Sequence, residues 1–379
     1  MRAYVLPDAR LRKLAGRFVR LDVDTEKPAN AAFVEKYPID AWPTLYVIDP
    51  ATEAVVIRWA GTATVEQIAQ LAGEGERALR ARGASRAEEA LARADRLAGE
   101  RRHAEAAAAY LEALEAGGPA WSGRERAVEA RLQALAFAGD AAGCAAAAER
   151  DLPTLHSPAA RALAASAGLA CALEIEGEEA RGAALRVLEP AARRGLEAPG
   201  LLADDRSGLF EALAGAREAA GDQAGARAIG RRWLAYLEAE AARARTPLER
   251  SGLDGQRVSA AIQAGTPERA LAPLLASERD LPGEFAPAAA LARLHLELHQ
   301  PAEARAAAVR ALARAEGPRR IRVLVLRARA ERELGEPAAA RETLAQAVRE
   351  GEALSPALRP TAWIAAARKE LASLAPVQD

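Results

Sequence analysis

Two hydrophobic periods divide this chain, and one gives way to the other near residue 62. Residues 18–24 (Phe-Val-Arg-Leu-Asp-Val-Asp) alternate apolar with polar, which predicts a half-buried strand. Residues 45–48 (Leu-Tyr-Val-Ile) and 55–57 (Val-Val-Ile) are continuous β-branched or aromatic runs, suited to inner strands. Residues 49–53 (Asp-Pro-Ala-Thr-Glu) predict the turn between them. A short helix is predicted over 29–36, and another from Thr64 onward. Seven of the fifteen aromatic residues lie before residue 62 (Tyr4, Phe18, Phe33, Tyr37, Trp42, Tyr46 and Trp59).

Beyond Thr64 apolar residues recur at three and four, as in Leu91, Ala94, Leu97 and Leu324, Ala328, among the strong helix formers Ala, Leu, Glu and Arg. Short breaks recur at Gly99-Glu100, Gly139-Asp140, Gly177-Glu178, Gly221-Asp222, Gly265-Thr266-Pro267, His299-Gln300-Pro301 and Gly335-Glu336-Pro337. Their spacing of 34 to 44 residues is that of stacked helical hairpins. A lone hairpin cannot bury its apolar stripe, so neighbours must stack. The second helices resemble tetratricopeptide repeats in the triplets Ala106/Tyr110/Ala113, Ala304/Ala308/Ala311 and Ala340/Leu344/Ala347. Leu291-Ala292 and Ala328 occupy the matching small-residue site of first helices, while residues 140–280 depart from the pattern. Six or seven pairs are expected, closed by residues 360–374 with Trp363 packed under the last pair.

The N-terminal order of strand, helix, Trp42-Pro43-Thr44 turn, strand, strand, Gly61 and helix resembles the later two-thirds of a thioredoxin-like domain. Residues 1–11 resemble the helix that follows that family's Cys-x-x-Cys pair. The resemblance implies a cis Pro43, a groove at Trp42, Pro43 and Thr44 that pairs with an extended peptide, and Asp24 as a turn cap. It also implies a central strand and a cysteine pair ahead of Met1. Without that strand, three outcomes are open: the flanking strands pair directly, another segment supplies the strand, or the natural start lies upstream. The last is the expectation.

The expected fold is therefore α/β plus all-α. A truncated thioredoxin-like domain (1–80) is followed by a tetratricopeptide-like helical-hairpin solenoid (81–379). Two functions follow. One is a thioredoxin-family protein whose repeats bind clients, with thiol–disulfide exchange if a Cys-x-x-Cys lies upstream. The other is a redox-inactive interaction scaffold.

Half the residues are hydrophobic and 28% are charged, as in folded proteins. A net charge of −1 offers no electrostatic reason for a nucleic-acid partner, so protein or peptide partners are expected. No apolar run reaches the length of a membrane span and no signal peptide opens the chain, which taken literally reads as cytoplasmic. An upstream start would allow an extracytoplasmic site. Cys144 and Cys171 form no Cys-x-x-Cys and read as buried apolar side chains; whether they meet is left open. His295 and His299 are four apart on one helix, yet without a third ligand they read as structural, as does the turn-side His103. His156 stands alone in a loop. Arg319, Arg320, Arg322, Arg327 and Arg329 read as a solvated helix face that an acidic partner tail would also fit. No phosphate-binding loop, Gly-x-Ser-x-Gly elbow or dinucleotide-binding fingerprint occurs, so no cofactor, metal or catalytic residue is assigned.

Overall fold

The computed structural model describes residues 1–80 and 85–374. The chain falls into two compact units. One comprises Met1–Val19 and Pro38–Trp233; the other comprises Arg20–Tyr37 and the chain from Leu234 onward.

In the first unit, β1 (Thr44–Ile48) and β2 (Val55–Ala60) form an antiparallel hairpin, with Thr44 opposite Ala60 and an irregularity at Ile48. Asp49 sets the connecting turn by accepting from the Ala51 backbone and the Thr52 hydroxyl. Helix α2 (Val65–Arg80) follows, and Thr64 opens it with reciprocal bonds to Gln67. One face of the hairpin buries Ile57 and Trp59 with Ala63 and Leu71. Gly75 is required there, because a Cβ would stand 2.7 Å from Val47.

Four helical hairpins complete this unit: α3/α4 (Arg86–Gly99, His103–Gly117), α5/α6 (Arg124–Phe137, Ala141–Asp151), α7/α8 (Pro158–Leu173, Glu178–Gly195) and α9/α10 (Ala203–Ala219, Gln223–Arg243). The unit division falls inside α10. The Gly-acid signature has a local cause. Gly139 closes α5 in the left-handed region at φ 77°, and the Asp140 N–H bonds back to the Leu135 carbonyl. The Asp140 carboxylate then caps α6 at the Gly143 N–H, so one dipeptide ends one helix and starts the next. Gly221-Asp222 repeats the device before α10.

The second unit holds α1 (Ala31–Lys36), a one-turn helix α11 (Pro247–Ser251) and three more hairpins. These are α12/α13 (Asp254–Ala264, Leu271–Asp280), α14/α15 (Ala286–Glu297, Pro301–Leu312) and α16/α17 (Pro318–Glu333, Pro337–Ala353). The closing helix is α18 (Thr361–Ser373). Seven hairpins are thus present among the described residues. The triplets at 106/110/113, 304/308/311 and 340/344/347 are all buried, as are Leu291, Ala292 and Ala328. The alanines among them let the helices of each pair approach closely.

Four expectations are corrected, those for residues 18–24, residues 1–11, Trp363 and the two cysteines. Residues 19–24 join no sheet: Val19 is 89% and Leu21 69% exposed, and the segment from Arg20 belongs to the second unit. The strand reading failed because a period of two shows only that a strand would suit the residues, not that a partner exists. Residues 1–11 form turns leading into a 3-10 helix (Ala9–Leu14), not one α-helix. Residues 44–80 hold a two-stranded sheet with α2 packed on it. The break that follows α3 places Arg101 in the left-handed region at φ 61°. Trp363 is exposed, and α18 instead packs through Ile364 and Ala367. Cys144 and Cys171 are joined by a disulfide, their Cα atoms 6.0 Å apart, which staples α6 to α7.

Candidate functional site

Two places in the first unit combine polar chemistry with a defined shape. The first is the loop from Pro38 to Thr44. Its Trp42–Pro43 bond is cis. The Gly61 N–H donates to the Pro43 carbonyl at 2.8 Å, and the Thr44 hydroxyl donates to Ala41 at 2.7 Å. The Tyr46 hydroxyl donates to the Pro38 carbonyl.

Asp40 anchors the loop. Arg58 of β2 lies 3.1 Å from one carboxylate oxygen, with His103 Nε2 3.3 Å from the same atom. Arg101 Nε lies 2.7 Å from the other oxygen, and a second Arg101 nitrogen donates to the Ile39 carbonyl at 2.8 Å. Arg101 lies in the α3–α4 connection and His103 opens α4, so the first helical hairpin itself braces the loop. Burial lowers the His103 pKa, against the pull of Asp40. The neutral ring lies beside Phe137, with centroids 5.2 Å apart. On this braced loop Trp42 stays 65% exposed.

The second place is a cavity of about 260 Å³ lined by Trp59, Gln67, Glu125, Arg126, Glu129 and Asp205, among others. Its carboxyls differ in their partners. Glu125 accepts from the His156 and Ser157 backbone and from the Ser157 hydroxyl. Burial opposes its charge, but these donors win and hold its carboxyl below the usual range. Asp205 accepts from the Thr62 hydroxyl, yet burial still raises it. Glu129 faces the cavity, so it keeps some exposed surface, but protein encloses it. Burial and the neighbouring Asp205 push it up to about 8, which leaves it protonated at neutral pH. The nearby Arg126 does little for it. Its guanidinium is already engaged by Asp95 at 2.9 Å and Glu74 at 3.0 Å, and Tyr110 donates to the same Asp95.

A protonated Glu129 can donate a hydrogen bond or, ionised, hold a cation. No group of three or more His, Cys, Asp or Glu among the described residues is placed to hold a metal ion. Sequence reasoning missed Glu129 and Asp205, because one acidic residue on an amphipathic helix carries no local mark of its enclosure.

The structure places the other singled-out residues as follows. His295 Nδ1 lies 2.8 Å from Gln300 Oε1, and His299 takes the left-handed turn position at φ 54°. The His156 N–H caps Glu125. Asp24 accepts from the Glu26 N–H at 3.2 Å, which is a turn cap. The arginines of α16 are not a merely solvated face. Arg319 pairs with Asp24 and Glu26, Arg320 with Glu350, Arg327 with Glu331 and Arg329 with Glu370. No helix among the described residues is long and apolar enough to cross a membrane.

The chain matches no protein-family profile and no curated protein. Among solved structures it is similar to a chain of the APC/C hetero-tetramer Cut9–Hcn1, at 15% identity and a TM-score of 0.36 over 77% of this chain. It spans about half of that protein, 53% of its length. It is also similar to a chain of the TPR2AB-domain:pHSP90 complex of yeast Sti1, at 15% identity and a TM-score of 0.29, over 76% of this chain and 98% of that one. At these scores neither likeness carries an argument.

Proposed function

We propose that this protein is an interaction scaffold that binds other proteins through extended peptide segments, with Trp42, Pro43 and Thr44 as one contact surface. The observation that carries this reading is Trp42 itself, 65% exposed on a loop fixed by two guanidinium groups and the His103 ring around Asp40. A large aromatic group held in place before binding loses little entropy on contact, which is what an interface anchor needs. The strand next to it supports the same reading. Among the described residues β1 pairs only with β2, so its other edge has no strand partner. An extended peptide can add to such an edge.

Peptides selected from a displayed random library on the immobilised protein would test this. Trp42→Ala should weaken their binding at least roughly tenfold, the scale of an anchor residue. Equal binding by the variant would overturn the reading.

A second reading is favoured by the order of α1, β1, β2, Gly61 and α2. It treats residues 1–80 as a thioredoxin-like segment and residues 81–379 as the repeat domain. Thiol–disulfide exchange then requires a Cys-x-x-Cys upstream of Met1, as attack by a low-pKa thiolate on a client disulfide. The N-terminal sequence of the protein isolated from its own cell decides between the readings. The Cys144–Cys171 disulfide favours an oxidising compartment over the cytoplasm as the working site. Alkylation of the native protein before and after reduction tests that placement.

A further inference from the structure

In the second unit, one face is lined by the first helices of successive hairpins, and it is basic. Ser259 of α12, Arg293 of α14, and Arg319 and Arg322 of α16 lie along it, with an Arg293 nitrogen 3.2 Å from the Ser259 hydroxyl. The chain's own segment Arg20–Tyr37 belongs to this unit, and it is the acidic part of the segment that meets the arginines. Arg319 reaches both Asp24 oxygens, at 3.1 and 3.2 Å, and also bonds Glu26. The same guanidinium stacks over the Phe285 ring, 5.0 Å from its centroid, which fixes its direction. The backbone follows closely as well: a Cβ on Gly317 would overlap the Glu26 carbonyl. Val34 and Tyr37 then bury against the unit, with α1 beside the 3-10 turn Pro356–Leu358.

The charges on this face do not balance. Arg322 is exposed, and no carboxylate lies within ion-pair distance of it among the described residues. Arg322 keeps solvent-facing surface on this face, but protein surrounds its side chain; that enclosure, with repulsion by Arg293 and Arg319, lowers its pKa against the attraction of Glu26. The segment thus satisfies one arginine of the row and leaves a second open to an anion.

We propose that this face is a docking groove for an acidic, extended peptide of a partner protein, and that the Arg20–Tyr37 segment is its resident occupant. A partner peptide competes with Asp24 and Glu26 for Arg319 and adds a carboxylate at Arg322. This shares with the scaffold reading only the premise that the chain binds proteins; it does not involve Trp42.

The test uses the full chain and a fluorescein-labelled synthetic peptide with the sequence of residues 20–31, followed by fluorescence polarisation. The Asp24→Ala/Glu26→Ala variant, with its own occupant loosened, should bind this peptide about tenfold more tightly than the unaltered chain, or more. Adding Arg319→Gln, which removes the guanidinium that holds Asp24 and Glu26, should reverse that gain, with circular dichroism and the melting temperature confirming that the fold is kept. A peptide with Asn and Gln in place of Asp and Glu should bind neither form. Trp42→Ala should leave all of these values unchanged, so failure here and failure of the Trp42 surface are read separately. The proposal is overturned if the double variant binds no more tightly than the unaltered chain, if Arg319→Gln has no effect, or if the neutral peptide binds equally well.

Discussion

The loop bearing Trp42 and the segment Arg20–Tyr37 are neighbours in sequence and are fastened by inverse arrangements. At the loop, one carboxylate, Asp40, receives two guanidinium groups and the neutral His103 ring, and Arg58 among them is almost fully buried. At the segment, one cation, Arg319, receives two carboxylates, and all three groups keep about a quarter to a third of their side-chain surface in water. The difference is one of solvent. A buried charge must be paired, because removing its partner strands it where water cannot reach. A half-exposed charge can exchange its partner for water at little cost. The first arrangement suits a fixed platform and the second an occupant that leaves. Neither segment has a core of its own, so each borrows its fastening from helical hairpins.

The largest expected effect breaks the platform. Asp40→Ala leaves Arg58 buried without its carboxylate and should destabilise the first unit by about 3–5 kcal/mol. Urea unfolding followed by circular dichroism measures this, and a loss below about 1 kcal/mol would erase the distinction between the two fastenings.

Next in size is the covalent fastening of the same unit. Reducing Cys144–Cys171, which closes a separation of 27 residues, should cost about 3–4 kcal/mol by the loop-entropy estimate. The Cys144→Ser/Cys171→Ser variant should match the reduced protein. A melting temperature that does not respond to reductant would contradict the expectation.

Glu129 sharpens the comparison as a carboxyl with no cation of its own. Its ordinary value of 4.5 rises to about 8 in the fold, so the folded state holds a proton that the unfolded state releases. Stability from this group is therefore full below about 4.5 and is lost as pH rises through the window to about 8. Glu129→Gln should flatten that decline and be the more stable form above it, by an amount on the order of a few kcal/mol. Parallel pH slopes for the variant and the unaltered chain would remove the group from the account.

The smallest effect belongs to the segment. Asp24→Asn should cost about 0.5–1 kcal/mol, and the difference should vanish in roughly 1 M salt, while the Asp40→Ala penalty persists. Equal salt sensitivity at the two sites would show that burial does not separate them.

Much of this architecture was legible in local sequence, and the reason is that its causes are local. Gly139-Asp140 and Gly221-Asp222 end one helix and cap the next with atoms only a few residues apart. The buried triplets follow from helical period alone, and the hairpin β1/β2 from its two apolar runs and the Asp49 turn. What failed was every inference that needed a distant partner. Residues 18–24 have the pattern of a strand, but pattern does not supply a second strand, and Arg319, nearly three hundred residues away, holds Asp24 instead. The spacing of Cys144 and Cys171 was silent on the bond between them, since only the packing of α6 on α7 brings them together. The arginines of α16 read as a solvated face because their counter-ions lie on other elements. Glu129 and Asp205 became enclosed only when α5, α9 and the β2–α2 connection met around one cavity. Sequence by itself determined the helices, their turns and the faces they bury, through interactions a few residues long. Tertiary structure decided the charges, because the environment that sets a charged group's cost is built from residues far apart in the chain.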